Sequence, residues 1–276
     1  MRERLGAQAH GAQTSRLHYG PQAFSLHLFL TVLIFLFSTP ILADSHTPFT
    51  DLLQKYVQNG HVKYSVLCKD PRFTSYITQL SQTNPGTISD PKEELAFWIN
   101  AYNAFTLKVI CDHYPVKSIN ELHTGGLIIG TMIKGTIWEK KFFKINGEEM
   151  SLNYIEHEIV RKKFPDPRAH FALVCASTSC PTLRSEAYEG SKLDQQLEDQ
   201  GRIFFGDKSR NFFEVDRKTA HLNKILDWYS KDFGASKPEV LLFVSRFLPD
   251  DLAAAMKADP EKWKITYTDY SWALNE

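Results

Sequence analysis

The chain has 276 residues, with 32 Lys and Arg against 32 Asp and Glu, a formal net charge of zero and 13% aromatic residues. No basic block rises above this balance, so the sequence carries no electrostatic footprint for nucleic acid and none for an anionic lipid surface. The aromatic content is ample for a sizeable core.

Arg2, Arg4 and Arg16 precede an apolar run from Leu28 to Phe37 and the sequence Thr39-Pro-Ile-Leu-Ala43. A basic region, a short apolar stretch and a small residue at the break read as a secretory signal over 1–43, cleaved after Ala43. The run is far shorter than the roughly 20 apolar residues a bilayer requires. No stable membrane insertion is therefore expected once the signal is removed. Residues 44–276 then carry 29 basic against 31 acidic groups and are expected to form one domain, exported to the periplasm or beyond.

The spacing of Phe49, Leu52, Leu53 and Tyr56 predicts a first helix that Asn59-Gly60 ends, and a second lies near Arg72 to Leu80. Asp90-Pro91-Lys92-Glu93 opens a long helix whose stripe is Leu95, Trp98, Ile99, Tyr102, Phe105 and Val109. The Gly-rich stretch Gly125 to Gly135 reads as a mobile loop. Phe142 to Met150 reads as a hairpin turned by Asn146-Gly147. A helix is predicted over Leu152 to Phe164, a buried strand over His170 to Cys175, and a helix over Lys192 to Phe205. Phe212–Val215 and Thr219–Leu222 look like paired strands, Lys224–Tyr229 and Pro238–Phe247 like helices, and Lys264–Trp272 like a closing strand. Helices and strands that do not alternate regularly predict an α+β class, several helices packed around a small, mainly antiparallel sheet.

Three segments carry a resemblance: Ala96-Phe-Trp-Ile-Asn-Ala-Tyr-Asn-Ala104, Ile155-Glu-His-Glu158, and His170-Phe-Ala-Leu-Val-Cys-Ala-Ser-Thr-Ser-Cys-Pro181. Pro115-Val-Lys-Ser-Ile119, Glu186-Ala-Tyr188 and Tyr270-Ser-Trp-Ala-Leu-Asn275 support it. Together they resemble the DUF547 family over most of the chain after the leader. The resemblance implies no secure activity. Ser271 stands where similar proteins commonly have Asp, which argues against an essential carboxylate at that position.

Chemistry-bearing residues cluster in these segments. Asn100 and Asn103 sit three apart on a helix with apolar neighbours, so a polar partner must face each amide; a structural network and a substrate-orienting role both satisfy this. His157 is in register with Val160 and Phe164 and reads as a core histidine or a general base. Glu156 follows Asn153 by three and reads as a capping residue or an orienting carboxylate. Cys180 precedes Pro181, which predicts a helix N-cap where the dipole and Arg184 stabilise a thiolate. The rival reading is a Cys175–Cys180 bridge formed after export. Cys68 and Cys111 read as buried or free thiols.

His157, His170, Cys175 and Cys180 lack metal-ligand spacing, and no Gly-x-Gly-x-x-Gly or Walker sequence occurs, so neither metal nor cofactor is expected. The leading expectation is a cysteine-dependent hydrolase of peptide or amide bonds. In it Cys180 attacks, His157 or His170 is the base, Glu156 or Asn100 orients the imidazole, and Asn103, Tyr102, Ser177 and Arg184 help to bind substrate. The alternatives are a thiol–disulfide redox protein cycling Cys175 and Cys180, and a non-catalytic envelope binding module.

Overall fold

The computed structural model describes residues 46–125 and 135–276. The predicted signal and residues 126–134 of the Gly-rich stretch lie outside the described residues. The expected α+β class is what the structure has. Among the described residues ten helices, α1 Thr47–Tyr56, α2 Tyr64–Leu67, α3 Pro71–Gln82, α4 Pro91–His113, α5 Arg161–Lys163, α6 Leu193–Gly206, α7 Ile225–Trp228, α8 Ser230–Phe233, α9 Lys237–Ser245 and α10 Asp250–Ala258, accompany three small sheets. None of these helices is long and apolar enough to cross a membrane.

The sheets are a hairpin of β1 Val57–Gln58 and β2 His61–Val62, a hairpin of β3 Phe143–Ile145 and β4 Glu148–Met150, and a three-stranded sheet of β5 Phe212–Glu214, β6 Thr219–Leu222 and β7 Lys264–Tyr267. β5 and β6 pair antiparallel, and β7 joins β6 in parallel. Asn146 and Gly147 take φ of 51° and 82° in the second hairpin, and Asn59 and Gly60 repeat these values in the first. Asn59-Gly60 is therefore a hairpin turn and not a helix end, because both residues are at the positive φ that a two-residue turn demands.

The central element is α4. The Asp90 side chain accepts from Lys92 N at 2.8 Å and Pro91 fills the first turn, so the start follows the sequence signal. Sixteen of its 23 residues are buried. A helix buried on nearly every side is the core of the fold and not an amphipathic surface helix. α1 to α4 and the β3–β4 hairpin gather one apolar core around Phe49, Tyr76, Ile99 and Phe105. A second core, around Phe171, Phe204, Leu241 and Trp263, is built by α6 to α10 and the three-stranded sheet.

Two expected elements take other forms. Tyr154–Val160 is a π-helical segment that runs into α5. His170–Cys175 is not a strand: Pro167–Phe171 is a 3₁₀ helix capped by Asp166, whose side chain accepts from Arg168 N, and an irregular segment follows. A short apolar run does not distinguish a buried strand from another buried segment. Here α4 supplies the hydrogen bonds that a neighbouring strand would have supplied. Asn103 Nδ2 donates to Ala172 O and its Oδ1 accepts from Val174 N, both at 2.9 Å.

The C-terminal tail after β7 is held at several points. Leu274 N donates to Lys117 O, Thr178 N to Ala273 O, and Val62 N to Asn275 O, each at 2.8 Å. The buried Asn275 side chain accepts from Tyr64 Oη and donates to Gly60 O. The tail thereby ties the β1–β2 hairpin to the loop 175–180.

Candidate functional site

A cavity of about 360 Å³ is lined by Tyr102 from α4, Glu156 from the π-helical segment, His170 and Leu173, Cys175 and Cys180, Ile225, Trp228 and Tyr229 around α7, Thr136, Trp138, Glu139 and Asn153, and Tyr270 and Trp272 from the tail. Residues of both cores contribute to it.

Cys175 and Cys180 are joined as a disulfide, with Cα atoms 6.1 Å apart, and both border the cavity. Cys68 and Cys111 are joined too, tying the end of α2 to α4. This corrects the reading of these two as thiols: α2 and α4 pack so that the Cα atoms stand 5.0 Å apart, within bridging distance. While the 175–180 bridge is closed, neither sulfur is a nucleophile. Nor is Cys180 a helix N-cap, since residues 181–184 form no helix. The guanidinium next to this loop belongs to Arg210, whose Nε donates to Cys180 O at 2.7 Å and whose Nη2 donates to Thr178 O at 3.0 Å. Arg184 pairs with Glu186 and is not among the lining residues.

The environment of the bridge is asymmetric. Cys180 is buried, with 1% exposure, while Cys175 is half-buried. Cys180 Sγ accepts from the Cys175 backbone N at 3.0 Å and from Ser177 Oγ at 3.3 Å. The Tyr270 hydroxyl lies 3.2 Å from each sulfur. Burial pushes the Tyr270 phenol up to about 12, so it stays protonated and can donate at neutral pH. Between the cysteines, Ala176 takes φ of 58°, a left-handed conformation that costs a side-chain-bearing residue roughly 1–2 kcal/mol.

Another part of the lining is acidic and phenolic. Glu156 is 9% exposed, and its Oε2 accepts from the Tyr102 hydroxyl at 3.2 Å. Burial, and then the Glu156 charge, raises both the Tyr102 and Tyr229 phenols above their ordinary value. Glu156 does not cap its helix. Ser151 Oγ accepts from Tyr154 N instead, and Asn153 makes no side-chain cap bond.

His170 Nε2 contacts Asp232 Oδ2 at 2.7 Å, and Arg161 donates to both oxygens of Asp232 at 2.6 and 2.8 Å. Burial lowers the His170 imidazole against the opposing pull of Asp232, while Arg161 holds the Asp232 carboxyl down at about 2. His157 is outside the lining; its Nδ1 faces Arg161 Nη1 at 2.7 Å. Asn100 and Asn103 also lie outside it. Asn100 Nδ2 donates to Tyr188 O at 2.8 Å and its Oδ1 accepts from Tyr188 N at 2.9 Å.

Of the residues singled out in the sequence, Tyr102, Glu156, His170, Cys175 and Cys180 come together at the cavity, with Ser177 touching the Cys180 sulfur. Sequence reasoning missed Tyr270, the tryptophans and Asp232. Only the Tyr270-Ser-Trp272 motif marked any of them, and nothing in its spacing tied it to residues 175–180.

No curated protein and no solved structure matches the chain. Residues 85–205 match the family model described as Protein of unknown function, DUF547, a stretch that holds α4, the Glu156 segment and both bridge cysteines of the cavity. Over that segment the chain is similar to the DUF547 family.

Proposed function

We propose that the cavity is a thiol–disulfide exchange site of an exported protein, with the Cys175–Cys180 bridge as the reactive group. The observation that carries this reading is the set of three donors, Cys175 N, Ser177 Oγ and Tyr270 Oη, around the buried Cys180 sulfur. Hydrogen bonds to a charged form favour that form, so these donors make Cys180 a good leaving thiolate. An incoming thiolate attacks Cys175 Sγ, the more exposed sulfur. A new S–S bond joins substrate to Cys175, the old one breaks, and its electron pair leaves on Cys180. A second substrate thiol then attacks the substrate sulfur, releasing a substrate disulfide and Cys175. Two thiols are oxidised, the bridge is reduced by two electrons, and the two protons pass to the cysteines or to water.

Two bridged pairs fit an oxidising compartment, which supports export. The Cys68–Cys111 bridge provides an internal control, since it packs against the first core away from the cavity lining. Equilibration in glutathione redox buffers, followed by alkylation and mass mapping, tests the reading. The 175–180 bridge is expected to open above the roughly −300 mV below which structural bridges of secreted proteins lie, with Cys68–Cys111 still closed. Cys180→Ser is expected to trap a small thiol on Cys175. Opening of both bridges together below that potential, with no trapped adduct, would overturn it.

The hydrolase reading requires the reduced form. One observation favours it there: His170, fixed by Asp232, borders the same cavity as Cys180. Amide or ester turnover that appears only after reduction and is lost in Cys180→Ala would establish it; turnover by the bridged form would exclude Cys180 as nucleophile.

A further inference from the structure

Aromatic rings and carboxylates make up much of the cavity lining. The Trp272 ring lies 5.3 Å from Trp138, 4.7 Å from Tyr270 and 6.0 Å from Trp228, and Trp228 lies 4.8 Å from Tyr270. Tyr229 joins them, and Glu139 and Glu156 are the acidic groups. Among the described residues no Lys or Arg lines the cavity, and burial favours the neutral form of His170, the basic group in the lining. Glu156 is nine-tenths buried and makes no ion pair among the described residues: it accepts from the neutral Tyr102 phenol, and Arg161, whose charge it feels, is paired with Asp232. A carboxylate taken out of water without a cation is costly, so its place in a cavity wall marks the position that a ligand's positive charge would take. Aromatic faces attract the same charge through their quadrupoles.

We propose that this cavity binds the ammonium group of a small organic cation, with the Trp138–Trp228–Tyr270–Trp272 cluster around its alkyl shell and Glu156 as its counter-charge. The amine-bearing ligand needs no opening of the bridge. Binding therefore stands or falls independently of thiol exchange at Cys175, although the two sites share one cavity. A neutral sugar or alcohol would leave Glu156 without its counter-ion, and an anion would be repelled by both carboxylates.

Choline and its neutral isostere 3,3-dimethyl-1-butanol are the probes, titrated into the full chain with both bridges closed, at ionic strength matched with sodium chloride. Tryptophan fluorescence and calorimetry provide the readouts. Choline is expected to bind at least about tenfold more tightly than the isostere. Glu156→Gln is expected to bring that ratio close to one, and Trp228→Ala, at a ring 48% exposed and so tolerant of change, to weaken choline severalfold. Equal binding of the two probes, a ratio unchanged in Glu156→Gln, or no saturable binding of choline would each overturn the proposal. A thiol-exchange result of either sign leaves this outcome untouched.

Discussion

Replacing Asn103 tests how the reactive loop is held. The side chain is 3% exposed and makes two 2.9 Å bonds, one to Ala172 O and one from Val174 N, at residues only 1% and 4% exposed. Asn103→Leu fills most of the same volume but leaves a buried C=O and a buried N–H without partners. Each such group costs roughly 1–3 kcal/mol, so the expected loss is roughly 2–6 kcal/mol. Asn103→Asp keeps the acceptor for Val174 N while turning a charged oxygen toward Ala172 O, and is expected to lose as much or more near neutral pH. Asn103→Ala opens space for a water molecule and is expected to lose less than the leucine variant. Urea unfolding under non-reducing conditions is the assay. With an m value of about 2–3 kcal/mol per M for a chain of this size, the leucine variant should move the midpoint down by about 1 M or more. A leucine variant within about 0.5 kcal/mol of the parent would show that the segment 172–174 does not depend on α4 for its backbone bonds.

The Cys68–Cys111 bridge closes a sequence separation of 43, for which chain entropy gives about 4 kcal/mol; Cys68→Ser with Cys111→Ser is expected to lower the thermal midpoint clearly, and an unchanged midpoint would refute this. Asp232 is held at about 2, below its unfolded value, so its stabilisation is complete above about pH 4 and is lost as pH falls through 2. His170, lowered by burial, has the same sign, its share being lost as pH falls below its ordinary value of about 6.5. With partial exposure discounted, Asp232→Asn should cost roughly 1–2 kcal/mol at pH 7 and flatten the acid limb of a stability-versus-pH curve, and an unaltered limb would show that the Arg161 pair contributes nothing. Gly201 on α6 lies against the Phe247 ring with no room for a Cβ, so Gly201→Ala should cost roughly 1–3 kcal/mol by overpacking, and a neutral result in urea unfolding would show that the ring moves aside freely.

Local signals were read well where the chemistry is local. Asp90-Pro91 starts α4, Asn146-Gly147 turns a hairpin, and the α6 periodicity falls within a residue or two of its true ends. The run His170–Cys175 was misread because burial, not extended pairing, makes it apolar, and its hydrogen bonds are satisfied by a side chain 69 and 71 positions away. α10 went unread, because its Asp250–Ala258 sequence has only Ala253 and Met256 buried and presents too narrow an apolar stripe. At the site, Cys180 and its loop were legible as chemistry, but the guanidinium beside it was assigned to Arg184 by sequence proximity. Arg210 reaches the loop only because α6 and β5 fold back on it.

The tail explains why the cavity could not be assembled from spacing. Tyr270 reaches the bridge from 90 and 95 positions away, and backbone pairing of the tail next to it helps to set its place. Ser271 N donates to Ser179 Oγ at 2.9 Å, and Ser177 bridges to Leu274. Residues 175–180 thus serve at once as the loop that holds the disulfide and as the edge on which the tail docks. The donor to the Cys180 sulfur and one wall of the aromatic cluster are therefore held on the same six-residue loop that carries the bridge.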